Sequence, residues 1–414
     1  MNENNYYNKR IAVIGGGPAG MMAAGTATEL GAAVTIFEHT DRLGKKLAIT
    51  GKGRCNVTNN CSVNDFLENV TKNPRFLYTA LYAFSPERTI EFFENLGVDL
   101  KTERGNRVFP ADDKAKTIVD AMRRYASDAE VIYEAVTSVR TNKDRSFIIN
   151  SDSNYVFDAV IIATGGKSYP KTGSDGSGYR LAMKLGHSVT ELKPSLIPIE
   201  SKDTICADMM GLSLKNVAIK IINKSGKVLY TDFGEMMFTH FGVTGPMILS
   251  ASARIKDEVI SDLTLSIDLK PALDEKTLDA RLLSDFKQNT NKDFINSLSA
   301  LLPSKMIDSF VMRTKIDPHK KINSITKEER AKILSTLKDF RIPLHALRPI
   351  DEAIITSGGI DVKEINPKTM ESKLVPGLFF AGEIIDVDAY TGGFNLQIAY
   401  STGFIAGKSA AESW

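Results

Sequence analysis

The stretch Lys9–Glu38, "KRIAVIGGGPAGMMAAGTATELGAAVTIFE", decides the fold. Its apolar run Ile11–Ile14 reads as a short strand that enters Gly15-x-Gly17-x-x-Gly20. "MMAAGTATELG" then reads as a helix ending at Gly31, and "AAVTIFE" as a second strand ending at Glu38. Gly15 permits a tight turn and Gly17 lets the backbone approach a pyrophosphate. Gly20 and Ala24 let the helix pack close to a sheet. The helix N-terminus offers N–H groups and a positive dipole end to phosphates. Glu38 can accept a hydrogen bond from an adenosine ribose and would repel a 2′-phosphate. The bland alternative is a glycine-rich turn in some other α/β protein; the order strand, turn, helix, strand, acid weighs against it. This unit therefore reads as a dinucleotide site for FAD or NAD, with Gly15, Gly17, Pro18, Ala19, Gly20 and Glu38 in contact.

Three later segments favour FAD. "YVFDAVIIATGG" (155–166) reads as a buried strand ending in Thr164-Gly165-Gly166, after a hairpin in "AVTSVRTNKDRSFIINSDSN". "PGLFFAGEIID" (376–386) reads as another buried strand ending in Gly382-Glu383. Such strands leave backbone beside a ligand at the carboxyl edge of a parallel sheet. "AYTGGFNLQIAYSTGFIAG" (389–407) opens with two glycines and continues as a helix. Its small residues Ala399, Ser401, Gly403, Ala406 and Gly407 allow close packing. Its positive end suits the negative charge of a reduced flavin near N1 and the C2 carbonyl. The cofactor site is thus built from both ends of the chain. No second GxGxxG follows a strand, so a nicotinamide donor, NAD(P)H, is expected to bind only transiently.

The bulk numbers fit a soluble globular chain. There are 414 residues, 43% hydrophobic and 25% charged, with a formal net charge of +2. That balance gives no global field toward nucleic acid or anionic membrane. Three cysteines, Cys55, Cys61 and Cys206, are too few for a disulfide framework and suit a reducing cytoplasm. No spacing resembles a zinc site. The N-terminus "MNENNYYNKR" lacks a signal peptide's order, and no apolar run is long enough to span a bilayer. The expectation is a cytoplasmic protein with no membrane association and no obligate protein partner.

Seven stretches, in order along the chain, carry a resemblance: "GGGPAGMMAA", "GKKLAITGKGRCNVTN", "GNRVFP", "ATGGKSYPKTGSDGSGYRLAMKLGH", "FTHFGVTGPMIL", "ITSGGI" and "GLFFAGEIIDVDAYTGGFNLQIAYSTG". The sequence resembles the BaiN-like flavoproteins, NAD(P)/FAD-dependent oxidoreductases also described as aminoacetone oxidase-like. Lys52 and Ala389 stand where glycine is common. TGSDGSGY is also similar to a stretch of the more distant fumarate reductase and ketosteroid dehydrogenase flavoproteins, where it lies near the cofactor. The resemblance implies a split Rossmann-like FAD domain (1–192 and 346–414). It also implies an inserted β-barrel-like domain (193–272) and a helical subdomain (273–345), with the active site between them. The residues themselves agree: short β-like runs with turns such as Lys224-Ser225-Gly226, then helical patterns from Asp274 to about Arg341. The cofactor set extends to Lys46, Gly53, Arg54, Cys55, Asn56, Val136, Thr164, Gly165, Gly166, Gly382, Glu383, Asp386, Gly393, Asn395, Leu396 and Gln397. Arg54 is read as supplying charge and Asn56 hydrogen bonds.

The resemblance implies reduction of an activated C=C bond, since members act on unsaturated steroid-type acids or on uridine in ribosomal RNA. Hydride leaves flavin N5 for one carbon, and a proton must reach the other. Cys55 is one donor candidate, with a thiol pKa lowered beside Arg54; the alternative is a small apolar residue packed under the flavin. His240 is the second, or else an imidazole fixing a glycine-rich turn. Tyr390 and Tyr169 flank flavin-proximal loops, and Arg107 could bind an anionic or carbonyl-bearing substrate; ordinary packing is the alternative for each. Rival readings are an oxidase of an amine or amino ketone, an RNA-modifying flavoenzyme, and a flavin carrier without catalysis. The favoured partner is a small molecule with a conjugated C=C; for RNA, basic segments at Lys215–Lys227 and Arg313–Lys321 would form the contact.

Overall fold

The computed structural model of the protein describes residues 9–144 and 146–412. Most of the N-terminal stretch read for a signal peptide falls on residues 1–8, outside the described residues. The chain forms two compact units: one ends at Pro194 and resumes at Ile350, and the other is Ser195–Pro349.

In the first unit, five strands build a parallel sheet: β1 (Arg10–Ile14), β2 (Ala33–Phe37), β3 (Glu130–Ile132), β4 (Ala159–Ile162) and β5 (Leu378–Phe380). Their order is β5-β4-β1-β2-β3. β1, β4 and β5 are almost wholly buried, because a parallel sheet is covered by helices on its faces. That explains why they read as continuous apolar runs. Helix α1 (Pro18–Glu29) buries every residue from Ala19 to Ala27. Helix α2 (Ala115–Tyr125) follows later, and α3 (Phe394–Glu412) closes the unit. A Cβ on Gly403 would lie 2.4 Å from Ala19 O, and one on Gly407 would lie 2.3 Å from Ala23 O. The backbones of α1 and α3 therefore touch, as the small residues of α3 predict.

The 155–166 segment is not one strand. Asn154–Phe157 joins Ser138–Thr141 and Phe147–Asn150 in a three-stranded antiparallel sheet, and Ala159–Ile162 belongs to the parallel sheet. Asp158 makes the corner: its carboxylate accepts Arg10 N–H (2.7 Å) and its N–H donates to Arg10 O (2.8 Å). The expected hairpin is thus a three-strand meander.

The second unit holds a seven-stranded antiparallel sheet. Its order is Phe340–Pro343, Leu263–Asp268, Ser213–Asn223, Val228–Thr239, Gly242–Thr244, Ile199–Glu200, Ala346–Leu347. The two edge strands are joined by only Leu344 and His345, whose N–H groups bond Leu263 O and Glu200 O (3.0 and 2.8 Å). Two residues reach about 7–10 Å, so the sheet rolls until its edges meet at this corner. It is a curled sheet turned by a chain corner; a closed barrel with paired end strands is not what the strand order gives. Helices Glu275–Gln288, Ser304–Thr314 and Lys327–Lys338 share one apolar core with it. Within the stretch read as helical, Pro303 stands between the short helix Phe294–Ser297 and the helix Ser304–Thr314. The stretch read as helical, Asp274 to about Arg341, ends earlier than expected: Phe340–Pro343 is a strand whose Phe340 and Ile342 alternate inward.

Candidate functional site

The strands of the parallel sheet end on one edge, and four segments leave it there: Gly15–Gly17, Glu38–Thr40, Ala163–Gly166 and Ala381–Glu383. Gly17 caps α1 without a side-chain bond, so first-turn N–H groups are left for a ligand. A Cβ on Gly15 would lie 2.5 Å from Ala163 O, and one on Gly20 1.9 Å from Gly15 O; around Gly17 nothing lies within 4 Å. Packing forces the first and third glycines, and the second faces open space. Glu38 is buried. Its carboxylate accepts Gly16 N–H (2.9 Å) and Thr40 N–H (2.8 Å), which fixes it at the end of β2. Each oxygen keeps a lone pair for a ligand hydroxyl.

A closed polar ring sits on the same edge. Lys46 Nζ donates to Ser168 Oγ (2.7 Å) and Glu383 Oε2 (2.8 Å). Ser168 Oγ donates to Glu383 Oε1 (3.0 Å), which also accepts Thr356 N–H (2.8 Å). Thr356 Oγ1 takes Lys167 N–H (2.7 Å). A Cβ on Gly166 would lie 2.4 Å from Thr356 Oγ1 and 2.8 Å from Glu383 Oε1. Gly166 is what lets these groups close up.

The segment "GKGRCN" folds through left-handed backbone: Gly51, Lys52, Gly53 and Cys55 have φ of 56, 58, 87 and 57. Arg54 closes outward over Phe109, 4.2 Å from the ring centre. Its Nε donates to Asp113 (2.9 Å) and its Nη2 to Glu103 and Asp113. These bonds hold Arg54 above its ordinary pKa and Glu103 below its own, while Lys101 and then Arg54 hold Asp113 below its ordinary value. The fork is occupied, which corrects the reading of Arg54 as a charge offered to the cofactor. Cys55 is fully buried, and burial pushes its thiol up to about 12, against a bond from Thr50. A lowered pKa is therefore also corrected: desolvation outweighs any field from Arg54. Asn56, with its amide turned to suit its neighbours, donates to Thr58 O and Val108 O and accepts Gly393 N–H (3.0, 3.2 and 2.9 Å). It welds this loop to the turn before α3.

That turn is braced from many sides. Asp388–Ala389 pairs antiparallel with Val70–Lys72. Asp386 ion-pairs with Lys72 (2.8 Å). Asn395 bonds both backbone groups of Ala389 (3.0 and 2.9 Å). Gln397 is fully buried, accepting from Thr58 Oγ1 (2.6 Å) and donating to Phe84 O (2.9 Å). A Cβ on Gly393 would lie 2.3 Å from Thr58 O. The side chains of Asp386, Asn395, Gln397 and Asn56 are thus committed to the fold, and brace the loop. Leu396 and Val136 are half-buried beside the core. Tyr390 is half-buried, its N–H donating to Asn69 O (3.0 Å). Tyr169 has φ 53, and Arg107 is exposed with Nε on Arg104 O (3.0 Å). His240 belongs to the second unit, exposed at a hairpin turn with its ring 5.0 Å from Phe241.

Among the described residues three shielded hydroxyls carry no hydrogen-bond partner: Tyr400 Oη on α3, and Thr164 Oγ1 and Tyr179 Oη by this edge. A Cβ on Gly178 would lie 1.9 Å from Thr164 Oγ1, and Tyr179 feels the charges of Glu383 and Asp386. Buried polar atoms left over beside these strand ends fit a polar ligand. With the open backbone at Gly17, Glu38 and Lys46, the donor set fits a flavin dinucleotide. Sequence reading missed Ser168, Thr356 and Tyr179. The hydroxyl two residues beyond Gly165-Gly166 was a usable signal for Ser168; Thr356 offered none.

The chain is similar to a 3-dehydro-bile acid delta(4,6)-reductase of Clostridium scindens, 29% identical over 412 residues, 97% of this chain and 99% of that protein. It is also similar to a ribosomal RNA dihydrouridine synthase of Escherichia coli K12, 28% identical over 409 residues, covering 97% and 98%. Among solved structures, a 3-ketosteroid-delta4-(5alpha)-dehydrogenase from Rhodococcus jostii RHA1 shares the fold, with TM-score 0.53, 16% identity and 99% of each chain covered. The family model described as HI0933-like protein Rossmann domain matches residues 9–409. The chain belongs to this HI0933-like Rossmann family of FAD-dependent oxidoreductases.

Proposed function

We propose that the protein reduces a C=C bond conjugated to a carbonyl, taking electrons from NAD(P)H through bound FAD. The observation that carries this reading is the full-length similarity to two relatives whose named activities share one step. A delta(4,6)-reductase and a dihydrouridine synthase both saturate a C=C bond polarised by a carbonyl. FAD supplies the two-electron carrier that accepts hydride from one partner and passes it to the other. The chain's own residues bind and orient. The first turn of α1 and Gly17 would hold the pyrophosphate, and Glu38 would hold the adenosine ribose. Lys46, Ser168 and Glu383 would offer polar groups to the dinucleotide, and Cys55 packs as an apolar wall. Tyr390 is our choice for the group that delivers the substrate's proton. A small enone is the favoured substrate; uridine in RNA is the second reading, carried by the dihydrouridine synthase similarity.

The test is an anaerobic titration of the purified protein with NADPH and with NADH, following the flavin's visible absorbance. Bleaching by either, then recovery on adding an enone or a uridine-containing RNA, is the expected result. Tyr390→Phe should bleach normally and recover about 10²–10⁴-fold more slowly. A flavin that neither donor bleaches would sink the reductase reading and leave an oxidase or another donor.

A further inference from the structure

His187 plays no part in the reaction above, yet its side chain is 0% exposed and fully engaged. The helix Ser177–Lys184 ends at left-handed Gly186 (φ 93), and His187 N–H reaches back to Ala182 O (3.1 Å). This C-terminal wrap turns the ring inward. Its Nε2 lies 2.9 Å from Ser372 Oγ, its Nδ1 lies 3.2 Å from Glu364 Oε2, and Phe380 meets it edge-on at 4.8 Å. Ser372 Oγ also accepts Leu374 N–H (3.0 Å) and Val375 N–H (2.8 Å). A hydroxyl has two acceptor pairs and one hydrogen. Both pairs are used, so the hydrogen goes to Nε2. The ring is therefore neutral, with its own hydrogen on Nδ1 donated to Glu364. The Ser–His–acid order is not a hydrolytic triad, because the hydroxyl is enclosed and its lone pairs are taken.

This chain of bonds joins two loops of the cofactor edge. Ser372 N–H donates to Leu378 O (2.7 Å) and Phe380 N–H to Met370 O (3.0 Å), so Met370–Ser372 lies along the outer side of β5. β5 runs on into Gly382-Glu383. At its other end, the His187 helix begins at Gly176, and Gly178 touches Thr164 and Ile384.

We propose that His187 is a positioning residue for the cofactor edge, and that its protonation is an acid-triggered latch that loosens β5 and releases the flavin. The proposal rests on the flavin reading above. A hydrogen added at Nε2 would face a hydroxyl with no lone pair left. Ser372 must then abandon either His187 or its own turn. The charged group facing the ring is Glu364, from the turn Val362–Glu364; Ser372 and Phe380 bring none. Lys373 Nζ is engaged with Lys363 O (2.8 Å), and the Glu371 carboxylate with Gly377 N–H (2.9 Å). Burial holds His187 below its ordinary value of about 6.5, with Glu364 pulling the other way. The opened form thus takes the proton first. The closed form is favoured above about pH 6.5 and loses ground as pH falls below it, by at most about tenfold per pH unit.

The test uses the flavin-loaded protein, following flavin fluorescence on release between about pH 8 and about pH 5, with far-UV circular dichroism alongside. Wild type should release flavin reversibly below about pH 6.5 with its secondary structure intact. His187→Gln is neutral throughout and can accept from Ser372, so its retention should be flat over that range. A flat wild-type curve, or the same acid curve in both proteins, overturns the proposal. Hydrogen exchange across residues 370–380 in the same samples reads the latch without the cofactor. Faster exchange below about pH 6.5 in wild type alone supports it, and equal exchange in both proteins overturns it. No flavin bound at about pH 8, with pH-dependent exchange retained, overturns the flavin half and the flavin reading with it.

Discussion

Cys55 occupies a left-handed position and exposes none of its surface. Only a thiolate attacks alkylating reagents, and burial pushes this thiol up to about 12. Cys55 should therefore stay unlabelled by iodoacetamide from about pH 7 to about pH 10, and should react at once after unfolding in guanidinium. Mass-spectrometric mapping of the labelled residues decides this; native-state labelling at about pH 8 would refute the buried placement. The sign of the linkage follows. The folded thiol ionises at a higher pH than the unfolded one, so this stabilisation is present below the unfolded value of 9.0 and is lost as pH rises toward about 12. At this scale the sequence was legible only where chemistry is local. Gly15, Gly17 and Glu38 could be placed together at one sheet edge because turn, approach point and acid lie in one strand–helix–strand unit. Ser168 and Glu383 stand 122 and 337 residues from Lys46, and no spacing rule reaches across such intervals. The same holds for Arg54, whose partners Glu103 and Asp113 lie 49 and 59 residues away.

Helix α3 shows what an element needs beyond its own propensity. Its glycines weaken it as an isolated helix and are kept because α1 lies against them. In Gly403→Ala the new Cβ would sit 2.4 Å from Ala19 O, a backbone atom that cannot swing aside. Overpacking of this kind costs about 1–3 kcal/mol, a fall of roughly 2–12 °C in midpoint for a unit of this size. Because α1 also carries the glycine turn proposed to hold the pyrophosphate, flavin should be lost below the unfolding transition. Lys408→Ala, on the exposed face of the same helix, should stay within about 0.5 kcal/mol of wild type. Thermal scans monitored by circular dichroism and by flavin fluorescence separate the two effects. Equal midpoints for both variants would refute the touching backbones. Helix and strand types were legible from composition in α1, α3 and β5. The break at Asp158 was not, because the sequence there reads as one apolar run and the corner depends on Arg10, 148 residues earlier.

For the whole molecule, the two units have separate apolar cores, each drawn from its own residues. Lys193–Ser195 pairs with Ile355–Ser357, so the chain leaves and re-enters the first unit side by side. Replacing residues 197–348 by a short Gly-Ser linker should therefore leave a folded fragment that binds FAD, shown by visible absorbance after gel filtration. Bound FAD with no substrate turnover is the expected outcome; a fragment without FAD and without a cooperative transition would show that the first unit does not stand alone. Among the described residues no helix is long and apolar enough to cross a membrane.

The packing of α1 on α3 also sets an order of birth. During synthesis, Gly403 and Gly407 leave the ribosome more than 200 residues after Pro194. At about 5–20 residues per second that is roughly 10–40 s in which the glycine turn before α1 exists without the helix that seats it. The second unit, contiguous from Ser195 to Pro349, can complete itself in that interval. A nascent chain cannot seat a dinucleotide against this pair of helices until α3 has emerged, so flavin captured on ribosome-bound chains should appear only on those extended past Gly407.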